Sequence, residues 1–162
     1  MGTINSTRLD GELLYQIISQ RPDYSFVFTG PEDDGFRQHR IHSLKNAYFT
    51  GQKKVDELPA YITAYDVCIN PQMVNDITDG NYPLKIDEYL AMGKPTVATS
   101  THTMRHIFAD HTHLATNPEE WLSAIDRAVT EADDKELAKQ RIAFAETHSW
   151  GHSCLLYTSP SP

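Results

Sequence analysis

Lys85 and Glu88 stand three residues apart at the start of a helix, in the run Asn81-Tyr-Pro-Leu-Lys-Ile-Asp-Glu-Tyr-Leu-Ala-Met-Gly-Lys-Pro-Thr-Val-Ala98. A helix start offers unpaired N–H groups and the positive end of the helix dipole, so a lysine there suits an anion such as a pyrophosphate. The same spacing also makes an ordinary surface ion pair. The histidines raise a second possibility. His102 and His106 are four apart on one helical face, with His111 and His113 nearby. A zincin-type site needs glutamate where this chain has Thr103, and no clear further ligand is in sight, so surface histidines are expected and no metal.

The elements that must position Lys85 and Glu88 are legible. Pro83 suits the first helical position and Gly93 the left-handed residue just past the end, with Ile86, Tyr89 and Leu90 as the buried face. Residues 96–99 read as the following strand. Upstream, Leu9, Leu13, Leu14, Ile17 and Ile18 recur at helical spacing, and Arg21-Pro22 closes that helix. Strands are expected at 24–29, 47–50, 67–70 and near 112–115. A helix entered at Asp56 turns Leu58, Tyr61, Ile62 and Tyr65 inward, and a short one covers about 102–109. Two final helices follow, the first opening at Asn117-Pro118 with Trp121, Ile125 and Val129 as its stripe. Alternating strands and helices argue an α/β fold: a Rossmann-like, doubly wound parallel sheet with right-handed crossovers. Ligands of such sheets lie beyond the carboxyl ends of the strands, which directs attention to the loops at 2–7, 50–54 and 71–82.

The chain has 162 residues and a formal charge of −8, with a pI of about 5.4. One domain is the natural reading, and an acidic surface argues against nucleic acid as a partner. No apolar run approaches the ~20 residues needed to span a bilayer, and there is no signal-peptide pattern at the N-terminus. A cytoplasmic domain is expected. Cys68 falls in an apolar strand and reads as a small hydrophobe, so the two cysteines suggest no disulfide framework.

The run Pro83-Leu-Lys-Ile-Asp-Glu-Tyr-Leu-Ala-Met-Gly-Lys-Pro95 resembles the donor-binding helix of GT-B glycosyltransferases, specifically the retaining, family-four-like enzymes of bacterial surface polysaccharide assembly. Leu58-Pro-Ala-Tyr-Ile-Thr-Ala-Tyr-Asp-Val-Cys-Ile-Asn-Pro71 is similar to the helix, turn and strand before the donor loop. Tyr24-Ser-Phe-Val-Phe-Thr-Gly-Pro31 and Tyr48-Phe-Thr-Gly51 resemble the second and third strands. The likeness covers nearly all of residues 2–152, in the family's order.

That resemblance implies the GT-B C-terminal half, which binds a nucleotide diphosphate sugar. Glu88 would accept from two ribose hydroxyls, Lys85 and Arg8 would meet the diphosphate, and Gly2 and Gly80 would let backbone approach phosphates and sugar. Asn81, Pro83 and Leu84 form the adjoining loop and helix start, and Gly51, Gln52 and Lys53 resemble the loop against the nucleobase. Two departures stand out: Gly80 replaces the first of two glutamates found in many members, and Leu9 replaces a lysine. The acidic clusters at 32–34 and 76–79 lack the Asp-x-Asp spacing of the other glycosyltransferase fold. No cofactor or divalent ion is implied, since helix terminus and basic side chains carry leaving-group charge. Catalytic groups and the glycan or lipid-linked acceptor site are expected in an N-terminal half, and the whole protein in the cytoplasm or peripheral at the inner membrane face. A non-catalytic nucleotide-sugar-binding module and a sugar-nucleotide epimerase are the alternatives.

Both ends carry expectations. Residues 1–7 fall where the family ends its first, central strand, so that strand is expected to be largely missing and the chain to be a fragment. Ser149-Trp150 looks like the opening of the family's final helix. Residues 154–162 resemble the translation of a transposase mosaic-end sequencing adapter and are set outside fold and function, leaving 1–153 as the domain.

Overall fold

The computed structural model describes residues 4–75, 79–80 and 82–158. Strands and helices alternate along the chain: α1 (Gly11–Ser19), β1 (Phe26–Thr29), α2 (Asp34–Arg37), β2 (Ala47–Gly51), α3 (Leu58–Ala64), β3 (Cys68–Asn70), α4 (Leu84–Ala91), β4 (Thr96–Thr99), β5 (His113–Ala115), α5 (Pro118–Thr130) and α6 (Lys135–Thr158). Short 3-10 turns occupy Arg40–Ser43 and Val55–Glu57, and a π-helical turn covers Met104–Phe108. Every strand pairing is parallel. However, the strands form two sheets, β1-β2 and β3-β4-β5, with no ladder between β1 and β3 among the described residues.

Two cores lie on opposite faces, because successive strand side chains point opposite ways. Val97 joins Leu14, Ile17 and Ile18 of α1 and Trp121, Ala124 and Ile125 of α5, whereas its neighbour Ala98 joins Ile86, Tyr89 and Leu90 of α4 and Phe108. The result is helix, sheet, helix. Asp10 caps α1 by accepting from Leu13 N at 3.1 Å, and Asn117 caps α5 by accepting from Glu120 N at 2.8 Å.

Several boundaries differ from expectation. Asp56 does not open α3: a 3-10 turn precedes it, Glu57 holds the cap position without a side-chain bond, and Pro59 supplies the preset backbone angle of the first turn. Pro83 is the residue before α4 rather than its first, and its carbonyl accepts from Ile86 N at 3.0 Å. The α4 stop is as expected: Gly93 has φ +74°, its N–H reaches Leu90 O at 2.9 Å, and Lys94 N reaches Tyr89 O at 3.1 Å, which is a Schellman closure. Helix α6 runs through Ser149 and Trp150 without interruption, so no helix opens there. Among the described residues no helix is long and apolar enough to cross a membrane.

Candidate functional site

Three loops meet at the carboxyl ends of the strands. Asn5 starts the first by folding residues 5–8 into a turn: its side-chain oxygen accepts from Thr7 N at 2.8 Å and its carbonyl from Arg8 N at 3.1 Å. Ser6 donates from its N–H and hydroxyl to Asp33 Oδ2, at 2.8 and 2.7 Å, while Asp33 Oδ1 caps α2 through Phe36 N. On the far side Arg8 O accepts from Met73 N at 2.6 Å and Asp10 N donates to Pro71 O at 3.2 Å. Arg8 is therefore held between the ends of β1 and β3. It precedes α1 instead of lying in its first turn, because Asp10 is the cap.

Lys85 enters from α4. The neighbouring Ile86, Tyr89 and Leu90 are buried, which fixes the helix and leaves Lys85 half-buried at its start and Glu88 exposed. Burial lowers the Lys85 pKa, opposed by the Glu88 carboxylate and aided by the positive charge of Arg8. The three charges thus feel one another. Yet the side chains of Arg8, Lys85 and Glu88 form no ion pair or hydrogen bond among the described residues, so the surface Lys85–Glu88 bridge is not made. Two cations and a carboxylate without partners, beside a helix start, can receive an anion and a hydroxyl donor together.

The other expected residues are less gathered. Gly51 ends β2 with φ +78°, and its carbonyl accepts from Gly30 N at 3.0 Å. Gln52 is exposed, and Lys53 Nζ lies 5.7 Å from the centre of the Tyr61 ring. Neither is bonded to Arg8, Lys85 or Glu88. Gly80 is exposed, and a Cβ there would meet nothing within 4 Å, so close approach by the chain's own atoms is not what a glycine serves there. Pro83 and Leu84 flank Lys85, with Leu84 exposed. Gly2 and Asn81 lie outside the described residues.

Two supports escaped the sequence reading. Asp79 accepts from His102 N at 2.8 Å, tying the loop before α4 to the helical turn after β4. Tyr82 donates to buried Asp87, and burial followed by that carboxylate drives the Tyr82 pKa well above the phenolic range. A tyrosine five residues before an aspartate is too common a spacing to have signalled this. The His102 and His106 rings lie against each other, 4.1 Å between centroids, and no group of three His, Cys, Asp or Glu side chains converges among the described residues. Cys68 is buried in β3, and desolvation pushes its thiol up to about 12.

The chain is similar to known proteins over most of its length. A protein of Bacillus subtilis (strain 168), TuaH, assigned as a glycosyltransferase of teichuronic acid biosynthesis, is 28% identical over 155 residues, covering 91% of this chain and 38% of that protein. This chain therefore spans well under half the length of that relative. Among solved structures, the C-terminal domain of the glycosyl transferase group 1 family protein LpcC of Francisella tularensis superposes with a TM-score of 0.67 at 17% identity, covering 91% of this chain and 82% of that one. Sucrose-phosphate synthase of Thermosynechococcus elongatus gives 0.64 at 19% identity, over 98% of this chain and 46% of that one. The fold is thus that of GT-B C-terminal domains, and the family described as glycosyl transferases group 1 matches residues 12–131. The chain belongs to that family.

Proposed function

We propose that this domain binds the nucleotide diphosphate sugar donor of a retaining glycosyltransferase that builds a bacterial surface glycan. The observation that carries the reading is the set of unpartnered charges on Arg8, Lys85 and Glu88, gathered where α4 begins at the carboxyl ends of the strands. Lys85, Arg8 and the N-terminus of α4 balance the diphosphate as it departs, without a divalent ion. Glu88 accepts from the ribose hydroxyls. Gly51 to Lys53 adjoin the base, and the loop carrying Gly80 lies beside the sugar. The acceptor, a glycan or lipid-linked one, is held by a separate half of the full-length enzyme. A family relative that serves teichuronic acid biosynthesis supports the surface-glycan assignment.

Calorimetric titration with UDP and GDP tests this. Glu88→Gln is expected to weaken nucleotide binding by about 1 to 3 kcal/mol, the range for hydrogen bonds to a charged group. Unchanged affinity would remove Glu88 from the site. Gly80, where the family pattern that the sequence resembles has glutamate, favours a second reading, a non-catalytic nucleotide-sugar-binding module. Donor hydrolysis by the full-length protein separates the two, since a binder releases no sugar. An epimerase would instead convert the donor without acceptor.

A further inference from the structure

Helix α4 opens without a side-chain cap. Pro83 holds the cap position and has no side-chain oxygen to offer the first turn. Leu84 N turns back to Tyr82 O at 3.2 Å and Ile86 N to Pro83 O at 3.0 Å, so the opening hangs on two backbone carbonyls. Where Tyr82 sits therefore decides where the turn sits. A turn that lacks a capping side chain also leaves its positive end open to an anion from outside the chain.

Tyr82 is also held by its side chain. Its hydroxyl donates to Asp87 Oδ2, about one turn further along α4, and its ring lies 5.9 Å from that of Phe108, centroid to centroid. Phe108 in turn meets Phe144 of α6 edge-on at 6.0 Å. Tyr82 directly precedes the cap residue and Asp87 is the fourth residue of the helix, the two positions at which an apolar pair commonly fixes the angle of entry into a helix. Here the tie is a hydrogen bond. Asp87 is 7% exposed, and its neighbours Ile86 and Leu90 are wholly buried. A buried carboxylate costs stability that an apolar pair would not. What it adds is direction, because a hydrogen bond fixes distance and angle where apolar contact does not.

We propose that Tyr82 is a positioning residue of the donor site: through its bond to Asp87 it sets the entry into α4 and so aims the first turn and Lys85 at the diphosphate. The inference rests on the donor reading above. It separates two tasks that a capping side chain performs together. Fixing the turn falls to Tyr82 and Asp87 on the buried side, and filling its open end falls to the phosphate oxygens of the ligand. The pair acts through the backbone of the turn and not by contact with the phosphates.

Two variants test it. Tyr82→Phe keeps the ring and removes the bond, whereas Asp87→Asn keeps an oxygen that accepts from the hydroxyl. Calorimetry with UDP and uridine, and with GDP and guanosine, is run on both beside the parent, together with thermal melting and amide exchange in the absence of nucleotide. Tyr82→Phe is expected to weaken the diphosphate by about fivefold to tenfold, to leave the nucleoside within about twofold, and to speed exchange at Leu84 and Ile86 by about tenfold. Asp87→Asn should stay within about twofold of the parent in each. A Tyr82→Phe chain that melts lower yet binds UDP and GDP as the parent does would overturn the proposal, since the bond would then serve stability alone. So would equal losses for diphosphate and nucleoside, or unchanged exchange at Leu84 and Ile86. A parent that binds neither UDP nor GDP would overturn the donor reading, and the diphosphate role with it, whereas the exchange data would still show whether the bond holds the turn.

Discussion

Arg21 grips both carboxylate oxygens of Asp126, with Nε 3.0 Å from Oδ1 and Nη2 2.7 Å from Oδ2. The Tyr24 hydroxyl donates to the same Oδ1 at 2.9 Å, so the link from α1 to β1 is tied to α5. The Arg21 hydrogen bond, joined by that of Tyr24, holds the Asp126 pKa below its ordinary value against the opposing effect of burial. A folded pKa below the unfolded one contributes stability above the unfolded value, about 3.9, and loses it as pH falls through the folded value. Because the side chains are 31% and 41% exposed, solvent screening limits the contribution to about 1 kcal/mol. Asp126→Asn should cost about that at pH 7. In urea unfolding the gap between variant and parent should shrink at pH 3.

Gly93 and Gly51 both have left-handed backbones, φ +74° and +78°, but only Gly93 is crowded. A Cβ at Gly93 would lie 3.2 Å from Ala138 Cβ and 3.3 Å from Ile142 Cδ1, whereas one at Gly51 would meet nothing within 4 Å. Gly51→Ala should cost only the backbone preference, about 1 kcal/mol. Gly93→Ala should cost more, about 2 to 3 kcal/mol, because α6 must shift as well. Denaturant midpoints of the two variants measure the difference, and equal losses would mean that α6 yields freely.

The α/β alternation, the glycine stop of α4 and the cap of α5 were legible because each rests on local chemistry: a glycine past a helix end, an asparagine before a proline, apolar residues at fixed period. Arg8 falls before α1, although Leu9 extends the helical stripe of the sequence backwards, because Asp10 is the cap. Leu9 instead bridges Gln72, a contact 63 positions away in sequence that no local pattern encodes. The Lys85–Glu88 pair read as a plausible bridge from spacing alone, and only folding showed Arg8 brought up beside Lys85. The exposure of Val27 and Val129 was likewise invisible, since periodicity assigns a residue to a face and does not say what covers it.

Lys85 and Glu88 should separate by ligand. If Lys85 meets the diphosphate, Lys85→Met weakens a nucleoside diphosphate by roughly tenfold, near 1.4 kcal/mol, and leaves the bare nucleoside unaffected. If Glu88 meets the ribose, Glu88→Gln weakens both. Calorimetry with UDP and uridine, or GDP and guanosine, reads the pattern directly. Equal losses for both ligands in the lysine variant would argue that Lys85 supports the helix and not the phosphates.

Arg141 of α6 holds the helix that carries these residues. It is 5% exposed, and its Nη1 donates to Gly93 O at 3.1 Å while Nη2 donates to Glu131 Oε1 at 2.9 Å. The Gly93 carbonyl lies just past the end of α4, so the guanidinium clamps that end to α5 and α6 at once. Arg141→Met removes the donor to Gly93 and leaves Glu131 without this partner, although His113 Nε2 still lies 3.0 Å from it. Breaking a fully buried pair costs about 3 to 5 kcal/mol, and the 26% exposure of the Glu131 side chain places this one at the lower end, about 3 kcal/mol. Adding Glu131→Leu should restore part of the loss, with a coupling of about 1 to 3 kcal/mol in a double-mutant cycle. The amide of Lys94, bonded to Tyr89 O, should exchange faster in Arg141→Met than in the parent. Additive losses with unchanged Lys94 exchange would show instead that Arg141 stabilises α6 alone and exerts no hold on α4.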